Sequence, residues 1–196
     1  TMKKQYRPAA AALVALLIFC TGTAALAAGV PQKVLRSAES VVYIEVEDTG
    51  VSAASGSGFI IAKNREATYF ATNYHVVEGA DDVYIWVGGE NKKHVRVIAS
   101  SESQDLAILQ LNDRVAARPL TLSTEINQGD AVYAVGFPGA AENMSTTSLR
   151  ASDQATITDG LVSSVRTGQM IEYGGSVSIV QTSADINPGN SGGPLL

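Results

Sequence analysis

Beyond residue 40 the hydrophobic positions fall in short runs rich in β-branched and aromatic residues, each closed by turn formers. No segment there carries a long helical period. The runs predict strands near 41–47, 57–62, 67–72, 82–87, 93–99 and 106–111. Turns are supplied by Asp48-Thr49-Gly50, Asn64 and Gly88-Gly89, and six strands suffice for one small closed barrel. Residues 112–130 mix turn formers with scattered charge and read as a link. A second series follows near 131–136, 156–166, 169–173 and 177–183, with Gly174-Gly175 turning between the last two. Between its first members, Gly139 to Gln154 is polar and Ser/Thr-rich, the composition of a surface loop. Ahead of the strands, Val30 to Ser40 is a short connector with helical character in Lys33 to Ala38. The expected class is all-β.

The first residues follow a different pattern. Met2, Lys3, Lys4 and Arg7 form a positive start, Ala9 to Cys20 an apolar run, and Ala25-Leu26-Ala27 a small-residue end. Residues 1–27 therefore read as a secretory signal peptide cleaved near Ala27. The alternative is an uncleaved membrane anchor, since Pro8 to Ala28 is long enough to span a bilayer. The expected location is periplasmic or extracellular. Cys20 is the only cysteine and lies in this leader, so the mature chain would hold no disulfide; bulky Phe19 before it argues against lipidation. With 45% apolar residues there is ample material for a core. The net charge of −5 excludes a basic nucleic-acid-binding surface as the main feature. No Cys, His and Asp cluster has zinc-like spacing, so neither a metal nor another cofactor is expected.

The chemistry concentrates at Asn187-Pro188-Gly189-Asn190-Ser191-Gly192-Gly193-Pro194. One serine sits in a glycine-rich turn where the backbone can bring N–H groups close to a ligand atom. A serine hydroxyl needs a neighbouring base, usually a histidine held by a third group. Only two histidines exist. His94 lies in the charged stretch Asn91 to His94 and reads as a solvated surface residue, whereas His75 stands in Ala71-Thr72-Asn73-Tyr74-His75-Val76-Val77. Asp105 opens Asp105-Leu106-Ala107-Ile108-Leu109, whose apolar positions would bury the carboxylate's surroundings and leave it needing a partner. Glu102 and Asp113 lack that frame. The order His, Asp, Ser differs from those of subtilisins and α/β-hydrolases.

The blocks TNYHVV, DLAIL and QTSADINPGNSGGPL, with GSGFII (56–61) and AVGFPG (134–139), resemble those of HtrA/Deg-type trypsin-like serine proteases over roughly residues 35 to 196. The resemblance implies two six-stranded antiparallel β-barrels, one over 41–111 and a second over 131–196 that is incomplete in this chain. It places a connector at 28–40 and the inter-barrel link at 112–130. It also implies that the chain is a fragment without the family's PDZ domain. Ser191 would be the nucleophile, His75 the general base and Asp105 its orienter. The oxyanion hole would be the N–H groups of Gly189 and Ser191, with Asn190 between them. In zymogen-activated trypsins an aspartate before the serine pairs with a newly cut N-terminus; Asn190 cannot, which argues against that activation.

The implied activity is a cofactor-free serine endopeptidase acting on unfolded or damaged exported polypeptides. The rival is an inactive fragment or a chaperone-like module that binds polypeptide on the same fold. Polypeptides are the expected partners, with homo-oligomerisation left open. Asp185 departs from the family. It stands six residues before Ser191, where digestive trypsins carry the S1 aspartate that selects Lys or Arg and HtrA/Deg proteases usually a small apolar residue; it would bind substrate there, the alternative being that it points to solvent or caps a turn.

Overall fold

The computed structural model describes residues 29–47, 54–87, 91–138, 155–169 and 176–196. The leader, the turns at 48–50 and 88–89, the loop at 139–154 and most of the segment expected at 169–173 lie outside them.

The first strand, β1 (Val41–Glu47), shows how one stretch of sequence organises the molecule. Its side chains alternate between two faces, yet both faces at its start are buried. Val42, Ile44 and Val46 point into one apolar cluster, and Val41 and Tyr43 into another. The first cluster is a barrel interior. It is closed by β2 (Ala54–Lys63), β3 (Thr68–Thr72), β4 (Asp82–Val87), β5 (Asn91–Ser101) and β6 (Leu106–Leu111), all paired antiparallel in the order β1-β2-β3-β6-β5-β4. Pairing of β4 back onto β1, with Ile44 opposite Ile85, closes the ring, so the barrel has no free edge. Register slips at Ile60/Ala62 and Val97/Ala99 each insert an extra residue into one strand and bend it.

Ile44, Ile60, Phe70, Ile85 and Leu109 are fully enclosed in that interior. Phe70→Ala is therefore expected to cost about 3–5 kcal/mol through lost burial and the cavity left behind. Denaturant unfolding measures this, and a cost below about 1 kcal/mol would mean that the barrel is not closed around this ring.

The other face of β1 carries the chain to its second half. There β7 (Ala131–Gly136), β8 (Thr156–Gln169) and β9 (Ser176–Thr182) form a three-stranded antiparallel sheet. Val135 of β7 and Phe137 just after the strand pack on Val41 and Tyr43, with the Tyr43 and Phe137 rings edge to face at 5.9 Å. The segment between the halves wraps the barrel. Val115 is buried in its core, the Ser40 hydroxyl donates to the Arg118 carbonyl at 2.6 Å, and the Leu120 N–H to Ile60. A seven-residue helix, α1 (Gln32–Ala38), precedes β1 and buries Val34 and Ala38.

The pattern-based strands recur with longer ends: β2 starts at 54 rather than 57, β5 at 91 rather than 93, and β8 runs on to 169. The one-turn helix α2 (Tyr74–Val77) was not expected.

Candidate active site

His75 lies in α2, a helix too short to stand alone. Its first N–H groups have no partner within so short a turn. Asn73, at the N-cap, does not cap with its side chain; its amide instead donates to the Asp105 carbonyl at 2.8 Å. Asp105 supplies the missing acceptor from another part of the chain. Its Oδ1 accepts the His75 backbone N–H at 2.9 Å, while Oδ2 lies 2.8 Å from the ring Nδ1. One carboxylate thus caps the helix and holds the imidazole.

A carboxylate accepts the hydrogen bond, which places a proton on Nδ1; in the neutral ring Nε2 then keeps its lone pair. The carboxylate side is closed, with the Asp105 side chain 10% exposed, and the imidazole side is open at 40%. Asp105 reaches this position through a backbone constraint. A 3₁₀ turn over Glu102–Gln104 ends in Asp105 with φ of 48°, a left-handed conformation for which aspartate is among the better side chains. Beside His75, the Tyr74 phenol is pushed above its ordinary range, first by desolvation and then by the carboxylates of Glu78 and Glu102.

Ser191 stands in the second half of the molecule, in a turn pinned against this helix. Asn187-Pro188-Gly189-Asn190 is closed by the Asn190 N–H on the Asn187 carbonyl at 3.0 Å. Proline in its second place and Gly189 at φ of 101° in its third make it a type II turn. The next turn closes from Gly193 N–H to Asn190 carbonyl at 2.8 Å, and Gly192 also has positive φ, 82°. A side chain on Gly192 would collide with the Ser57 carbonyl and the Thr72 hydroxyl and come within 3.0 Å of the Asn73 nitrogen. Backbone freedom and close approach coincide there.

Gly56 lies between the two parts. A Cβ on it would meet Val76, next to His75, at 2.8 Å and the Ser191 carbonyl at 3.1 Å. The structure therefore brings His75, Asp105 and the Ser191 turn together around Gly56 and Ser57. Among the described residues the Ser191 hydroxyl makes no hydrogen bond to another protein group. Unliganded sites are often open in this way and tighten on substrate. Neither the Gly189 N–H nor the Ser191 N–H donates to another protein group among the described residues, so both are available to a ligand.

Asn190 is buried between them, its Oδ1 without a hydrogen-bond partner among the described residues and set against Gly136 of β7. Asp185 is exposed, and its backbone carbonyl accepts the Thr158 hydroxyl at 2.7 Å. His94 is remote from this cluster, exposed on β5 and 2.9 Å from Asp82. Sequence reasoning assigned no role to Ser57, Thr72 or the Asn73 amide. The available signal was a serine between two glycines where the strand was expected only to begin.

A closed antiparallel barrel with a second antiparallel sheet on its flank is the architecture of chymotrypsin-type folds. A family model described as a trypsin-like peptidase domain matches residues 56–196. The serine protease Do-like HtrA of Bacillus subtilis is 37% identical over 155 residues, which cover 76% of this chain and 32% of that protein. A probable periplasmic serine endoprotease, DegP-like, of Hahella chejuensis is 36% identical over 144 residues, 73% of this chain and 27% of that one. Among solved structures, the Rv3671c protease of M. tuberculosis in its active form superposes with a TM-score of 0.69 at 25% identity, covering 83% of this chain and 67% of that one. The HtrA-type protease AlgW with a tripeptide gives 0.66 at 28% identity, covering 83% and 48%. The chain belongs to the trypsin-like peptidase domain family and is of the HtrA/Deg type. It spans 32% or less of the length of these two relatives.

Proposed function

We propose that this domain is a serine endopeptidase that cleaves unfolded or damaged polypeptides after export, through an acyl-enzyme on Ser191. The clasp of Asp105 on His75 carries the reading. With Nδ1–H committed to the carboxylate at 2.8 Å, Nε2 is the nitrogen left to take the serine proton. Attack of Oγ on a peptide carbonyl forms a C–O bond and moves that proton to Nε2. The developing oxyanion is met by the N–H groups of Gly189 and Ser191. Collapse of the tetrahedral intermediate breaks the C–N bond, and the imidazolium returns the proton to the leaving amine. Water then repeats the sequence on the ester, releasing the acid and Ser191. Each donor in such a hole contributes about 3–4 kcal/mol to the transition state.

Relatives named as periplasmic endoproteases, together with the basic, apolar, small-residue leader, support export. The expected outcome is degradation of a reduced, unfolded polypeptide and sparing of the same polypeptide when native and disulfide-bonded. Binding of the unfolded form without cleavage would favour the chaperone-like reading instead.

Asp185 is proposed to bias selectivity. A carboxylate facing a P1 cation forms a charge-assisted pair; facing an aliphatic P1 side chain it stays unpaired. A peptide library is expected to show cleavage after Lys or Arg, shifting towards Val or Ile in Asp185→Ala. An aliphatic preference unchanged by the substitution would remove Asp185 from the pocket.

A further inference from the structure

Ser57 is fully buried in β2, opposite Tyr43 of β1, and every polar group it owns is engaged with the site. Its N–H donates to the Ser191 carbonyl at 2.8 Å. Its hydroxyl donates to the Gly189 carbonyl at 2.7 Å and accepts the Phe137 N–H at 2.9 Å. Its carbonyl accepts the Thr72 hydroxyl at 2.8 Å. The Phe137 N–H occupies a lone pair of the hydroxyl oxygen, which leaves the proton directed at Gly189. This one residue therefore grips the carbonyl of each of the two residues whose N–H groups face the ligand side. The segments it joins are 80 and 132 residues away in sequence.

We propose that Ser57 is a positioning residue for the oxyanion-binding turn. It fixes the backbone of Gly189 and Ser191 through their carbonyls while their N–H groups stay unengaged. The inference rests on the endopeptidase reading above. A type II turn can exchange its central peptide for the type I orientation, reversing the Gly189 N–H. The positive φ of Gly189 marks the donor-out form, and anchoring at Gly189 and Ser191 limits the room for the turn to shift. The Phe137 backbone adds to the same clamp, because its carbonyl lies where a Gly189 side chain would be. A buried hydroxyl with donor and acceptor both satisfied is held in one orientation, as a positioning group must be.

The test is Ser57→Ala in the full protein, with Ser57→Thr as the variant that keeps the hydroxyl. In Ser57→Ala, kcat is expected to fall roughly 10- to 100-fold with KM within about twofold, because the lost feature acts mainly on the charged transition state. Affinity for a peptide boronate, whose oxygen occupies the hole, should weaken in step with kcat/KM. Ser57→Thr should recover most of the loss. Counting active sites with a fluorophosphonate separates lower turnover from a smaller folded fraction.

Wild-type kcat in folded Ser57→Ala, or a loss matched entirely by fewer titratable sites, would overturn the proposal. Should Ser57→Ala not fold, Ser57→Cys fills the site with a slightly larger side chain of the same shape and weakens both hydrogen bonds, and wild-type kcat in that variant overturns it equally. A wild-type protein that fails to label at Ser191 would instead refute the endopeptidase reading on which the proposal rests.

Discussion

Asp105→Asn is expected to lower kcat by about 10⁴-fold, some 5 kcal/mol at the barrier, while leaving the fold and KM nearly unchanged. The two carboxylate oxygens do different work. Oδ1 accepts the His75 backbone N–H at 2.9 Å and Oδ2 faces Nδ1 at 2.8 Å. An asparagine can keep its oxygen on the backbone N–H, so α2 stays capped. Its NH₂ then faces Nδ1 and donates, forcing the ring proton to Nε2. The nitrogen that should remove the serine proton would carry one already. Steady-state kinetics of the folded variant measure the effect. A loss of less than tenfold would mean that the Asp105 contact is structural only.

Ser191→Ala should be more damaging, with a loss in kcat of about 10⁶-fold, and His75→Ala comparable, because members of such a constellation act as a unit. The structure also predicts that stability hardly changes. The Ser191 hydroxyl has no hydrogen-bonded partner among the described residues, whereas its backbone carbonyl, held by Ser57, is unaffected by the substitution. Peptide hydrolysis together with a melting curve measures both halves. More than a few per cent of wild-type turnover in purified Ser191→Ala would remove Ser191 from the chemistry.

The sequence announced some of these features and concealed others, for identifiable reasons. The barrel strands were legible because VVYIEVE (41–47) is rich in β-branched residues and LAILQL (106–111) is a short apolar run bounded by turn residues. The start of β2 was not. Gly56-Ser57-Gly58 has the composition of a turn and becomes strand only by pairing with Ile44, Tyr43 and Val42 of β1. The helix α2 was hidden because its cap is Asp105, thirty residues further along the chain, and local sequence carries no trace of that. His75 and Asp105 were singled out by their framing residues, and the geometry adds which carboxylate oxygen lies on the backbone N–H and which on the ring. For Ser57 the two flanking glycines were the available signal, and they do not say what it contacts. Its role arises from three segments meeting in space.

All of the proposed chemistry depends on Ser191 being a nucleophile activated by His75. Reaction with a fluorophosphonate followed by peptide mapping tests it most directly, since the reagent phosphonylates an activated serine and ignores ordinary hydroxyls. A single adduct is expected on the peptide containing Ser191, lost in His75→Ala and in the heat-unfolded protein. No adduct, or an adduct on any other residue, would contradict it.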